Sequence, residues 1–147
     1  MAKYFELSGD EVGIKWLFNV SYAVGPKCEN RRDDVMLVQH AINTLLPHLD
    51  LKKPDGKTIT SYLVRDGYFG RNTREAIDAY QANLKTRHRL VIADGIVEPS
   101  SKNGWTTSGN AQYTIVYLNK DHRDFHGQMM QEEQFPALLK SAIERNK

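Results

Sequence analysis

The sequence predicts a mainly α-helical fold, with a β-strand or hairpin added ahead of the helices and one further helix after them. Three observations carry this. Val35, Val38, Ile42 and Leu45, and later Ala76, Ile77, Tyr80 and Leu84, recur at the spacing of an amphipathic helix. Ahead of them, Ile14, Trp16, Phe18, Val20, Tyr22 and Val24 alternate with Lys15, Leu17, Asn19, Ser21 and Ala23, the period of a half-buried strand. Towards the end, Pro136 suits the first turn of a helix whose apolar side is Leu138, Leu139, Ala142 and Ile143. With 147 residues and 40% hydrophobic content, the chain is large enough for one domain around one core.

Local chemistry bounds each element. Ser8 and Glu11 have capping-box spacing and compete for a helix start, but Gly13 and the regular alternation favour a strand over 14–24. Gly25-Pro26 ends that strand, and Lys27 to Arg32 is a polar loop. Asp33 and Asp34 supply an N-cap candidate and negative charge for the first helix, which Pro47 stops near Leu46. Pro54-Asp55-Gly56-Lys57 is a turn signal between Leu51 and Thr58 to Val64, read as a hairpin or an extended excursion. The second helix opens near Gly70 to Thr73. A second Asp-Gly turn, Asp94-Gly95, follows it, and then a polar loop from Glu98 to Ala111. Tyr113 to Asn119 has the composition of a strand. The two Asp-Gly turns are the one hint of an internal repeat, too short to prove it.

Composition excludes several classes. A formal net charge of +2 with scattered Lys and Arg gives no basic face for nucleic acid. No stretch is apolar enough to span a bilayer, and the run from Ile14 to Val24 is broken by Lys15, Asn19 and Ser21, so it is no signal-peptide core. A cytoplasmic location without a membrane partner is the expectation. Cys28 is the only cysteine, which rules out an intramolecular disulfide.

Asp34-Val35 leads to Val38-Gln39; then come Asp66-Gly67-Tyr68-Phe69-Gly70, Thr73, Ala76-Ile77 and Tyr80-Gln81, and after them Asp94-Gly95-Ile96-Val97, Thr114 and Leu118-Asn119. In this order the residues resemble the peptidoglycan-binding domain family, a three-helix module. The resemblance covers residues 33–119, with 1–32 as an N-terminal strand extension and 120–147 as a C-terminal helical extension. It implies that Tyr113 to Asn119 is the third helix. It also implies a non-catalytic module that binds wall glycan or stem peptide in a shallow groove beside the Asp-Gly loop and the second helix.

Most motif positions have a scaffold reading of their own. Gly67 suits a positive-φ turn and Asp66 can accept backbone N–H bonds within it. Phe69 plugs the core, Gly70 permits close approach and can N-cap the helix, and Thr73 can bond back within the first turn. Carried over from the family, the exposed ligand-binding candidates are Asp66, Tyr68, Arg71, Asn72, Arg74 and Gln81. Tyr68 offers an apolar platform and Arg71 a carboxylate grip. The sequence departs from the family in the Pro54-Asp55-Gly56 excursion, in Glu98-Pro99 after Val97, and in the loop to Ala111. The alternative partner is another protein, with the chain as an intracellular adaptor on the same scaffold. A phage or secretion-system protein delivered without a signal peptide would reconcile a wall ligand with the absent export signal.

No catalytic residue, metal ligand set or cofactor is expected. His122 and His126 are four apart, but no third ligand or His-Glu-x-x-His pattern accompanies them, and two exposed histidines near a helix end account for the pair. His40 and His48 have no recognisable acid or nucleophile beside them. Cys28 has Lys27, Arg31 and Arg32 nearby to lower its pKa, without a Cys-His hydrolase signature.

Overall fold

The computed structural model describes residues 1–9, 12–106 and 111–146, so Glu11 of the capping-box reading and part of the 98–111 loop lie outside it. Its elements run β1 (Lys3–Glu6), β2 (Trp16–Asn19), α1 (Arg32–Leu45), α2 (Arg71–Arg87), α3 (Thr114–His126), a 3-10 turn (Glu132–Gln134), α4 (Ala137–Ala142) and β3 (Glu144–Asn146). Helix α1 is the hub. Every residue from Asp33 to Ile42 is buried, and α2, α3 and α4 all pack against it. A helix with no solvent face is the centre of a core rather than one wall of it.

The fold is mixed, not mainly α. A three-stranded sheet of order β2-β1-β3 closes one side, with β1 antiparallel to β2 and parallel to β3. Strands β1 and β3 span only 3–6 and 144–146. Elements that short show no period in a sequence, and β3 exists only because the chain's end returns to β1. The last helix is accordingly brief, with Pro136 as its N-cap and strand backbone from Glu144. Thr114 to Asn119 is helical with Tyr113 as its N-cap, as the family order rather than propensity implied, because its apolar side chains face two clusters at once. Ile115 and Leu118 enter the main core, while Val116 joins Phe5, Leu7, Val12, Ile14 and Leu17 in a smaller one.

The predicted strand over 14–24 shrinks to Trp16–Asn19 and is buried on both faces, with Leu17, Phe18 and Asn19 all inside. Its free edge is occupied by a side chain. Asn119 of α3 donates Nδ2–H to the Phe18 carbonyl (2.9 Å) and accepts the Phe18 N–H (3.1 Å), as a neighbouring strand would. Beyond Asn19 the chain bends to reach α1. The Asp34 carboxylate accepts the N–H groups of Ser21 (2.9 Å) and Tyr22 (3.0 Å), and Asp33 accepts that of Ala2. Neither aspartate caps its own helix, whose N-cap is Arg31. Burial pushes the Asp34 carboxyl above its ordinary range, against the lowering effect of those two bonds.

Two further amides fix the Asp-Gly turns. Gln39 of α1 accepts the Gly67 N–H (2.9 Å) and donates to the Tyr68 carbonyl (3.2 Å) and the Thr73 hydroxyl (3.0 Å). Gln81 of α2 accepts the Gly95 N–H (2.8 Å) and donates to the Ile96 carbonyl (3.0 Å) and the Thr114 hydroxyl (3.1 Å). In each turn the aspartate accepts the N–H two residues on, at 3.0 Å, and the glycine has φ near +80°. The unit is therefore repeated: helix glutamine, Asp-Gly turn, threonine at the next helix start. The Thr73 hydroxyl serves this clasp rather than its own first turn. The clasp also explains why Gln39 and Gln81 are buried, since an amide with donors and acceptor satisfied can leave water. Tyr80 and Arg87 lock α2 to α3 through Asp121, which accepts from the Tyr80 hydroxyl (2.6 Å) and from both terminal nitrogens of Arg87 (2.9 and 2.8 Å).

Replacing Gln39 or Gln81 by Leu strands a turn N–H and a threonine hydroxyl, and each should cost roughly 2–3 kcal/mol in urea unfolding. The two glycines should part company. A Cβ on Gly95 meets only the Asp78 carboxylate, whereas one on Gly67 runs into the Arg32 backbone carbonyl at 2.5 Å. Gly95→Ala is expected to cost about 1–2 kcal/mol for its left-handed backbone alone. Gly67→Ala should exceed it by about 2 kcal/mol from the steric conflict; equal losses would show that α1 yields there.

Candidate functional site

Between α1 and α2 the chain runs as a strap from Thr58 to Phe69, held at three points. A tight turn at 53–57 brings the Ile59 N–H to the Leu51 carbonyl (2.8 Å). The Asn43 amide pairs with both backbone groups of Leu63 (2.7 and 2.9 Å), and Gln39 takes Gly67. Leu63 is buried, which under the alternation of extended backbone turns its neighbours outward. Tyr62 is 66% exposed, Val64 75% and Tyr68 62%. A strap anchored by amides thus presents a row of apolar side chains to solvent, which marks interaction surfaces.

Two shallow depressions flank this row where it meets the start of α2. One, of about 230 Å³, is lined by Val64, Asp66, Tyr68, Gly70, Arg71 and Asn72 among others. The other, of about 240 Å³, is lined by the strap from Thr58 to Leu63 with Lys53, Asn72 and Glu75. Four of the six expected residues, Asp66, Tyr68, Arg71 and Asn72, therefore stand together around the first depression. Asp66 is half-buried and spends one carboxylate oxygen on the Tyr68 N–H and the Gln39 amide (3.3 Å). Arg74 is exposed on α2 but does not line the depression. Gln81 is 1% exposed and committed to its clasp, so it is scaffold rather than a ligand contact.

Neighbouring cations orient the site. Arg32 donates Nε–H to the Asp66 carbonyl (3.0 Å) and lies 4.8 Å from the centre of the Tyr68 ring, holding the ring from one side. Arg71 donates Nε–H to Glu75 one turn along (2.8 Å), leaving its outer nitrogens directed to solvent. Gly70 is the N-cap of α2 with extended backbone, and a Cβ there would meet nothing within 4 Å. Its role is the cap, not close approach. Phe69 is half-buried against the main core. Tyr62, Val64 and Arg32 lie outside the sequence motif, and Gln39 stands in it only as a first-helix residue. The signal for the first two was the Tyr62-Leu63-Val64 run, apolar on both faces of an extended segment that can bury only one.

The other reactive groups are placed differently from expectation. The Cys28 thiol is pushed up by burial and by the Asp94 and Glu98 charges, the reverse of activation by its basic neighbours. His122 is buried, not exposed, and bonds through Nδ1 to the Gln128 carbonyl (2.9 Å). It stacks on the exposed His126 at 4.4 Å, which contacts His48 at 4.8 Å. Among the described residues no group of three His, Cys, Asp or Glu side chains is arranged to hold a metal ion. Nor is any helix among them long and apolar enough to cross a membrane. The partner of His40 is neither an acid nor a nucleophile but Arg65, which donates NH1 to its Nδ1 (2.9 Å). A guanidinium only donates, so the His40 ring is neutral with its proton on Nε2.

An open depression of a few hundred Å³ covers one face of a ligand rather than enclosing it. Tyrosine and valine give it apolar contact, arginine and asparagine give directed hydrogen bonds, and no general acid–base pair faces it. That combination suits a polymer or peptide laid along a surface. No protein-family model, no curated protein and no solved structure matches the chain.

Burial lowers the His40 pKa from 6.5 to about 4, with Arg65 and His122 adding to the effect. Between those values the unfolded chain binds a proton that the folded chain does not. The stability His40 supplies is thus complete above about pH 6.5 and is lost as pH falls towards 4, by up to ~3 kcal/mol. Urea midpoints should drop across that interval, and His40→Gln should flatten the drop; an unaltered slope in the variant would assign it to carboxylates instead.

Proposed function

We propose that the chain is a non-catalytic binding protein that recognises peptidoglycan, as wall glycan or stem peptide, at the groove between the Asp66–Tyr68 turn and the start of α2. One observation carries this reading. Tyr68, Arg71 and Asn72 converge on a shallow groove whose walls are fixed by the Gln39 clasp, and none of the three is consumed by the core. A sugar ring or methyl-bearing stem peptide would lie on the Tyr68 ring and the Val64 side chain. The outer nitrogens of Arg71 would grip a carboxylate and the Asn72 amide a peptide group or hydroxyl. The ordered motif from Val38-Gln39 to Thr114, similar to that of peptidoglycan-binding domains, supports the same reading.

Adaptor function within the cell is the competing reading, and the exposure of Tyr62 beyond the groove favours it. The two part on a sedimentation assay with purified insoluble peptidoglycan. The wild-type protein should pellet with it at low salt. Tyr68→Ala and Arg71→Ala should each weaken retention about tenfold, the scale of a buried anchor at a binding surface. Arg74→Ala, outside the groove, should leave retention unchanged. Wild-type protein that stays in the supernatant would sink the wall reading and leave the adaptor.

A further inference from the structure

A third depression, of about 370 Å³, lies on the α1 side of the strap and is lined by His40, Asn43, Thr44, Tyr62, Leu63 and Arg65. Leu63 also lines the groove described above and Tyr62 its neighbour, so the three depressions surround a single strap. Arg65 is exposed, yet it has no carboxylate within ion-pair distance among the described residues, unlike Arg31, Arg71, Arg87, Arg123 and Arg145. Its NH1 alone is engaged, by His40 Nδ1 (2.9 Å) and the Gln134 carbonyl (2.9 Å). Those two bonds fix the plane of the guanidinium and leave NH2 and Nε as donors.

His40 supplies the second observation. Its side chain is 5% exposed and its Nε2 has no hydrogen-bond partner. Because Arg65 donates to Nδ1, that Nε2 carries the proton and points across the ring away from the guanidinium, so His40 meets Arg65 as an acceptor that orients it. Asn43 spends its carbonyl and one amide N–H on Leu63, and Thr44 spends its hydroxyl on the Ala41 carbonyl. A fixed guanidinium edge with spare donors beside an exposed tyrosine describes a receptor for one planar anion on an organic body. Carboxylate fits that description.

We infer that Arg65, oriented by His40, forms a carboxylate subsite beside Tyr62, so that the peptidoglycan stem peptide crosses the strap with one carboxylate at Arg65 and the rest of the ligand in the Tyr68–Arg71 groove. This rests on the wall reading given above and specifies which part of the ligand it recognises. Arg65 is the contact residue and His40 a positioning residue that holds the guanidinium plane.

The test is a titration near neutral pH of ¹⁵N-labelled protein with a soluble disaccharide–stem-peptide muropeptide, and with the same muropeptide after amidation of its carboxylates. The free-acid form should shift the Arg65 Nε–H and His40 ring resonances. It should also bind about tenfold more tightly than the amidated form, the worth of one charge-assisted bond. In an Arg71→Ala background, which removes the other carboxylate contact, Arg65→Gln should abolish the remaining difference, bringing both forms to one affinity. His40→Phe should reduce the preference while Arg65→Lys keeps part of it. In the wild-type protein, shifts of the Arg65 Nε–H and His40 ring resonances with the free-acid form and not with the amidated form decide the matter even if a variant fails to fold. Equal affinity for the two forms, with Tyr68→Ala still weakening both, would overturn the subsite and leave the wall reading intact. Binding of an acidic L-peptide through Arg65, with no muropeptide binding, would overturn both and assign the face to a protein partner.

Discussion

A buried side-chain amide that stands in for backbone is the interaction on which the rest of this structure depends. Gln39 meets an N–H, a carbonyl and a hydroxyl at once, and so ties the Asp66-Gly67 turn and the start of α2 to α1. Gln81 repeats this for the Asp94-Gly95 turn and α3. Asn43, Asn119 and Asn30 pair with both backbone groups of Leu63, Phe18 and Gly25, as a strand partner would. The physical reason is stoichiometric. A carboxamide carries donors and an acceptor in a fixed plane, matching one peptide unit, so irregular chain can be buried without stranded polar groups. A chain with short strands and long connections needs such partners more than a regular bundle does.

The same device appears in altered form at the end of α3. Gln81 stands eight residues after Thr73, and His122 stands eight after Thr114. His122 bonds to the Gln128 carbonyl just past Gly127, as Gln39 and Gln81 bond to the carbonyls just past Gly67 and Gly95. An imidazole has only one N–H to give when neutral, so it reproduces the carbonyl bond and not the full clasp. The glycine here serves as the left-handed cap of α3 and no further helix of the same kind follows. The repeat thus runs through two complete units and a partial third.

Scaffold and site divide along these lines. Gln39, Gly67, Thr73 and Leu63 are buried and committed, and their bonds set the positions of Tyr62, Val64, Tyr68 and Arg71. The latter group is exposed and contributes little to the core, which leaves it free for recognition. Arg32 and Glu75 do not contact the groove's open space so much as steady the groups that do, one beneath the Tyr68 ring and the other on Arg71. The strap is therefore irregular in backbone and yet anchored at three points.

By itself the sequence determined the first two long helices and both Asp-Gly turns, because each is written in local terms: apolar spacing, a glycine where φ is positive, a proline stop. Helix α3, whose start has the composition of a strand, is helical through its packing. The sequence also brought out Asp66, Tyr68, Arg71 and Asn72 as neighbours, since a turn and the helix it feeds are contiguous in the chain. Tertiary structure alone decided the rest. Strand β3 forms because residues 144–146 return to β1, and β2 is short because Asp34 and Asn119 claim the backbone around it. Gln81 reads as a surface residue until a distant turn and Thr114 enclose it, and Asp33 and Asp34 read as caps until the N-terminal segment arrives to use them. A polar side chain's burial is set by whether remote partners meet all its hydrogen bonds. No local pattern encodes that, and it is why the first two helices could be read residue by residue while the clasps, and the groove they shape, could not.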